Sequence, residues 1–228
     1  SPFFKEGGWE LFGQHTSQPG EITMALILPR LYAILDPEQT KGRAPEAVLQ
    51  QLLDGGVKIL QLRVKAMTPA DFLTLATHAR AQTCAAGCQL IINDRIDIAL
   101  ACEADGAHLG QEDLPLAAGK QLLGDKIVGI STHDVEQARE AERNGADYIG
   151  FGPMFGTMTK DTGLTARGAD MLKQIRAAVK IPIVAIGGIT EQNVQAVWQA
   201  GADSAAIISD ILGAEDIAAK VTRIIHPS

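Results

Sequence analysis

The chain has 228 residues, 46% of them hydrophobic, and a formal charge of −7. That length suits one large domain or two small ones and leaves enough apolar mass for a sizeable core. No run of about 18 apolar residues is present, so no membrane span is expected, and the acidic balance excludes a general nucleic-acid binder while leaving room for a local basic pocket.

Residues 1 to about 26 differ in character from the rest of the chain, with Phe3, Phe4, Trp9 and Phe12 set among Gly7, Gly8, Gly13 and Gly20. Disordered tails are poor in aromatics, so the expectation is an extension that packs on the main domain or on a neighbouring subunit, a homo-oligomer being compatible with the second. The first residue is Ser1 rather than a methionine, and Met24 is an alternative start. The basic region, apolar core and small-residue cleavage site of a signal peptide are absent.

From residue 31 a rhythm begins. Leu31–Leu35 reads as a buried strand. The helix after it has Pro45 near its first turn and Gly55-Gly56 past its end. Val57–Arg63 is a second strand. Thr68-Pro69-Ala70-Asp71 opens a helix running to about Gly87, with a hydroxyl cap, proline at N1 and an acid at N3. Gln89–Asn93 and Gly106–Leu109 are strands three and four, with a short helix over Ile96–Cys102 between them and another near Leu116–Leu123. Strand five is Ile127–Ser131. Asp134 caps the next helix, which Gly145 ends, and Asp147-Tyr148-Ile149 is strand six. A helix spans about Gly168 to Val179, Pro182–Ile186 is strand seven, and Thr190 caps a helix that stops at Gly201. Ser204–Ile208 is strand eight, and a last helix runs from about Glu215 to Ile225.

These strands are continuously apolar rather than alternating, as expected where helices cover one face and a barrel interior fills the other. Eight βα units with short links predict an α/β fold, a (β/α)8 TIM barrel of parallel strands with outer helices, in one domain over residues 27–228. A doubly wound sheet would carry a glycine-rich fingerprint after strand one, and Asp36-Pro37-Glu38-Gln39 is not that. Cys84, Cys88 and Cys102 are an odd count without CxxC spacing. They read as reduced thiols in packed helix or strand positions, which points to the cytoplasm and away from a structural zinc site.

Barrels of this kind work at the C-terminal ends of their strands. Strand two ends Gln61-Leu62-Arg63-Val64-Lys65, and alternation places Gln61, Arg63 and Lys65 on one side. An amide and two cations there suit a diphosphate, or else a salt-bridge cluster at the mouth. Strand three ends Asn93-Asp94, and Asp113 comes after strand four. Each aspartate could serve as a helix cap; together, facing cations, they suit magnesium, which takes one or two carboxylates plus phosphate oxygens. Ser131 adds a hydroxyl, and His133 beside it reads as a loop residue rather than a base. After strand six, Gly150-Phe151-Gly152-Pro153-Met154-Phe155-Gly156-Thr157-Met158-Thr159-Lys160 packs two hydroxyls and an ammonium into a glycine-rich loop, which is either a phosphate cradle or a polar surface turn. Gly187-Gly188 after strand seven, with Ile208-Ser209 after strand eight, occupy the usual phosphate site of the fold. Two anion-binding halves suit two phosphorylated substrates joined in one reaction.

Gln61–Lys65, Asn93-Asp94, His108–Asp113, Gly129-Ile130-Ser131, Gly152–Lys160 and Ala185–Ile189, in this order, resemble the thiamine-phosphate synthase family from about residue 30 onward. The resemblance implies condensation of 4-amino-2-methyl-5-hydroxymethylpyrimidine diphosphate with a thiazole phosphate, giving thiamine phosphate and pyrophosphate with Mg2+. It implies that Gln61, Arg63, Lys65, Asn93, Ser131 and Lys160 hold the pyrimidine diphosphate. By the same resemblance Asp94 and Asp113 ligate the metal, and Thr157, Thr159, Gly188, Ile208 and Ser209 bind the thiazole phosphate. It also implies a dissociative route in which pyrophosphate leaves first, with Arg63, Lys65, Ser131 and Lys160 as the catalytic residues. Gly156 stands where the family often has proline, and the first 26 or so residues have no counterpart. A thiazole tautomerase of the same barrel, or a non-catalytic phosphate-binding relative, would lose parts of the diphosphate set that are present here.

Overall fold

The computed structural model describes residues 26–156 and 168–227, leaving the N-terminal segment, residues 157–167 and the last residue outside the described residues. Eight strands form a closed, all-parallel barrel in sequence order: β1 Leu31–Leu35, β2 Ile59–Leu62, β3 Gln89–Asn93, β4 Gly106–Leu109, β5 Ile127–Thr132, β6 Tyr148–Phe151, β7 Ile183–Ile186 and β8 Ser204–Ile207. The ring closes where Leu31 stands opposite Ala205 and Ala33 opposite Ile207. Outside it lie α1 Pro45–Asp54, α2 Pro69–Ala85, α3 Ile96–Ala101, α4 Leu116–Leu123, α5 Val135–Arg143, α6 Gly168–Ala178, α7 Val194–Gln199, α8 Ser209–Leu212 and α9 Ile217–Ile225. Among the described residues no helix is long and apolar enough to cross a membrane.

The continuous apolar strands divide their side chains between two cores. Ala33, Leu35, Leu60, Leu62, Leu90 and Ile92 pack outward against the helices. Tyr32, Ile34, Ile59, Ile91, Tyr148, Val184 and Ala206 fill the lumen. This alternation puts Gln61 and Asn93, both buried, on the inward side of their strands, at the end toward which every strand runs.

Most boundaries fall where caps and glycines predict. Thr68 accepts from Asp71 N and Asp134 from Gln137 N, each closing an orphan donor at a helix start. Four expectations need correction. Thr190 does not cap the seventh helix: α7 begins at Val194, behind Asn193, whose Oδ1 instead accepts from Thr190 N. An extra short helix, α8, intervenes before α9, which Asp216 caps. Strand six extends through Gly150 to Phe151, because Ser131 and Thr132 continue to pair alongside. Of the cysteines, Cys84 is exposed on α2, while Cys88 and Cys102 are buried just outside regular elements; burial pushes the Cys88 thiol up to about 12.

Candidate active site

A cavity opens at the C-terminal mouth, floored by Ile34, Val184, Ile186 and Ala206. Gln61, Arg63, Asn93, Ser131, Gly188, Ile208 and Ser209, seven of the residues singled out in the sequence, line it together. Lys65, Asp94 and Asp113 form a group directly beside it, since Asp94 follows Asn93 and pairs with Lys65. Thr157, Thr159 and Lys160 lie outside the described residues.

The cation side is built around acids. Arg63 pairs with Asp36, which is 1% exposed at the end of β1 and also caps Glu38 N. Asp36 is a site residue that sequence reasoning passed over; its place at a strand's C-terminal end was the available signal. Neither Asp94 nor Asp113 caps a helix. Arg95 and Pro115 are the residues before α3 and α4, and neither helix has a side-chain cap. Asp94 instead adopts left-handed backbone, φ 61°, with its N–H bonded to His108 O, while Asp113 accepts from Gly110 N at 2.7 Å. The turn sets the Asp94 carboxyl close enough to that of Asp113 to perturb it. Burial first, and Asp94 second, hold the Asp113 carboxyl above its ordinary range. Two carboxyls set close together with one cation already engaged are short of positive charge, which a divalent ion would supply. Among the described residues no cluster of three or more His, Cys, Asp or Glu side chains could hold a metal by itself. Two carboxylates are a donor set that fits magnesium, which keeps water and substrate phosphate oxygens.

The opposite side is made of backbone. Gly187 and Gly188 have φ of 100° and 65°, and a Cβ on Gly188 would sit 2.8 Å from both Gly156 O and Phe155 Cβ, so only glycine brings these loops together. Asn193 Nδ2 donates to Gly188 O at 3.0 Å. Ser209 opens α8, and its neighbour Asp210 accepts from Glu191 N at 2.8 Å and pairs with the buried Lys220 at 3.0 Å. Loops seven and eight are thus tied to one another beneath the cavity edge.

His133 lines the cavity as well; its ring Nδ1 lies 3.2 Å from Gly152 O, and its backbone N–H donates to Gln137 Oε1. The lumen residues Tyr32, His108 and Tyr148 also line the cavity, and sequence reasoning did not single them out as site residues. Their inward positions on β1, β4 and β6 were legible from alternation; that they touch one another was not.

The chain matches the family described as thiamine monophosphate synthase over residues 31–211. A thiamine-phosphate synthase of Chloroflexus aurantiacus is 42% identical over 195 residues, covering 86% of this chain and 90% of that protein. One from Halalkalibacterium halodurans is 47% identical over 189 residues, covering 82% and 90%. Among solved structures, thiamine phosphate pyrophosphorylase from Pyrococcus furiosus superposes with a TM-score of 0.79 at 34% identity, covering 86% of this chain and 95% of that one.

Proposed function

The chain belongs to the thiamine monophosphate synthase family, transferases of thiamine biosynthesis, and from that premise we propose how its mouth carries out the condensation. The substrates are 4-amino-2-methyl-5-hydroxymethylpyrimidine diphosphate and a thiazole phosphate. The bond between the pyrimidine methylene and the diphosphate oxygen breaks with its electron pair going to oxygen. The thiazole nitrogen lone pair then forms the new C–N bond, giving thiamine phosphate and pyrophosphate. Arg63, Lys65 and Lys160 hold the diphosphate and stabilise the charge that develops on it. Gln61, Asn93 and Ser131 orient the pyrimidine end. Thr157, Thr159, Gly188, Ile208 and Ser209 take the thiazole phosphate. Asp94 and Asp113 would hold Mg2+, which supplies charge neutralisation to the leaving pyrophosphate when bound. No side-chain nucleophile or general base is required.

What supports this reading is the Asp94 carboxyl, paired with Lys65 and set close to that of Asp113, at a mouth that also holds the Arg63–Asp36 pair, an arrangement that suits a cation and a polyanion together. Incubating the protein with both substrates should yield thiamine phosphate and pyrophosphate in equal amounts, and only with Mg2+. Folded protein that yields neither, but interconverts thiazole isomers without metal, would be a tautomerase instead. The reaction belongs to the barrel alone, residues 27–228, in a reducing cytoplasm. Removal of residues 1–23 should leave kcat/KM unchanged, and an inactive but folded truncation would bring the extension into the site.

A further inference from the structure

The lumen contains a continuous hydrogen-bonded chain from β2 to β5. Gln61 Nε2 donates to the Tyr32 hydroxyl at 3.1 Å. The Tyr32 and Tyr148 hydroxyls are 2.7 Å apart, bridging positions 116 residues distant in sequence. The Tyr148 hydroxyl lies 3.1 Å from His108 Nδ1, and His108 Nε2 lies 2.9 Å from Ser131 Oγ. Room for this chain is built in, since a Cβ on Gly129 would stand 2.1 Å from Tyr148 Cζ. The Tyr148 ring stacks on His108 with centroids 5.5 Å apart.

We infer that this chain has one direction, set by Gln61, and that it holds neutral His108 as the Nε2–H tautomer so that the Ser131 hydroxyl proton is turned into the cavity. The direction follows from where each proton can go. With the Gln61 amide turned so that Nε2 faces Tyr32, the Tyr32 oxygen accepts from Gln61 and its own proton goes to Tyr148; the opposite amide orientation would reverse the chain and place the hydrogen on His108 Nδ1. Both tyrosines are fully buried, where a hydroxyl proton without an acceptor costs more than the bond itself contributes. Tyr148 therefore passes its proton on to His108 Nδ1. A neutral imidazole that accepts at Nδ1 carries its hydrogen on Nε2. Ser131 Oγ then accepts from His108 and keeps its own O–H for a ligand. Burial holds both phenols above their ordinary range, so each remains a donor.

The same direction fixes the other end. With Nε2 committed to Tyr32, Gln61 offers Oε1 to the cavity, an acceptor suited to an exocyclic amino group on a heteroaromatic ring. His108, Tyr148 and Tyr32 are thus positioning residues, acting through Ser131 and Gln61. Their effect on turnover rests on the reaction proposed above, with Ser131 donating to the diphosphate substrate.

The test is a 15N–1H correlation spectrum of histidine-labelled protein without substrate, at a pH where the ring is neutral, with His108 assigned by loss of its signals in His108→Asn. The expected spectrum has His108 Nε2 protonated and Nδ1 bare. In Tyr148→Phe, which keeps the ring and removes the hydroxyl, the Nδ1 signal should move toward that of an acceptor without a donor, and the tautomers should mix. The Nδ1–H tautomer in the wild type would overturn the proposal, and that reading needs no variant to fold. In kinetics, Tyr148→Phe should lower kcat/KM for the pyrimidine diphosphate about tenfold, and Ser131→Ala should cost less in that background than in the wild type. Costs that simply multiply would overturn the link to Ser131. Because the tautomer is read without substrate, failure of the reaction itself is seen separately, as an ordered spectrum from a protein that makes no thiamine phosphate.

Discussion

The two ends of the barrel use the same pair of side chains differently. At the bottom, Asp105, Asp147 and Asp203 each stand just before an even-numbered strand. Each accepts from a backbone N–H of the preceding strand, Leu90, Val128 or Ile183, at 2.7–2.8 Å. Each is also paired with a helix cation, Arg80, Lys120 or Arg176, at 2.8–2.9 Å. These three staples are saturated within the fold. At the mouth, Arg63 and Lys65 face Asp36 and Asp94, but Asp113 is added against Asp94 with burial and like charge raising its proton affinity. One end closes its charges; the other sets a second carboxyl, Asp113, close to one already paired.

That contrast can be broken most sharply at the metal pair. Asp94→Ala with Asp113→Ala should lower Mg2+-dependent turnover on the order of a thousandfold while far-UV circular dichroism stays unchanged; full activity would remove the metal assignment. Next, Arg63→Ala leaves the buried Asp36 without its cation and with only the Glu38 N–H on its carboxylate, so it should cost about 3 kcal/mol in urea unfolding and also weaken binding of the diphosphate substrate. At the bottom the two effects should separate. Asp147→Ala should cost about 1–3 kcal/mol by leaving Val128 N–H unpaired, yet leave kcat/KM within about twofold of the wild type. A kinetic defect there would erase the distinction between the ends.

The smallest effect concerns Asp113 alone. Its carboxyl binds a proton more tightly folded than unfolded. Its contribution to stability is therefore present at acid pH and is lost as pH rises through the raised value. Asp113→Asn removes that repulsion, so without metal its Tm at neutral pH should exceed the wild type's and fall less between acid and neutral pH. A lower Tm across the whole range would mean that the carboxylate is satisfied without a cation.

The barrel was legible because βα periodicity, proline at helix starts and glycine at helix ends recur along the whole chain. Alternation along β2 put Gln61 on the inward side; Asn93 was singled out only as a strand end and by the family resemblance, and both are buried in the cavity wall. The pairing of Asp94 with Asp113 was legible only as a coincidence of strand ends. What sets them close, the left-handed turn at Asp94 and the Gly110 N–H on Asp113, belongs to three-dimensional closure. Tyr32 and Tyr148 meet across the lumen, and no local pattern records that. The staples did leave a trace: Ala104-Asp105, Ala146-Asp147 and Ala202-Asp203 repeat one dipeptide before β4, β6 and β8. Read as a repeat, it marks the closed end of the barrel.

Calorimetric titration with inorganic pyrophosphate, with and without Mg2+, tests the account most directly. Wild-type protein should bind pyrophosphate tightly only when Mg2+ is present, and Asp94→Asn with Asp113→Asn should lose that dependence while Asp147→Ala keeps it. Equal binding of pyrophosphate by the wild type with and without Mg2+ would contradict the claim that the mouth is built for a cation and a polyanion together.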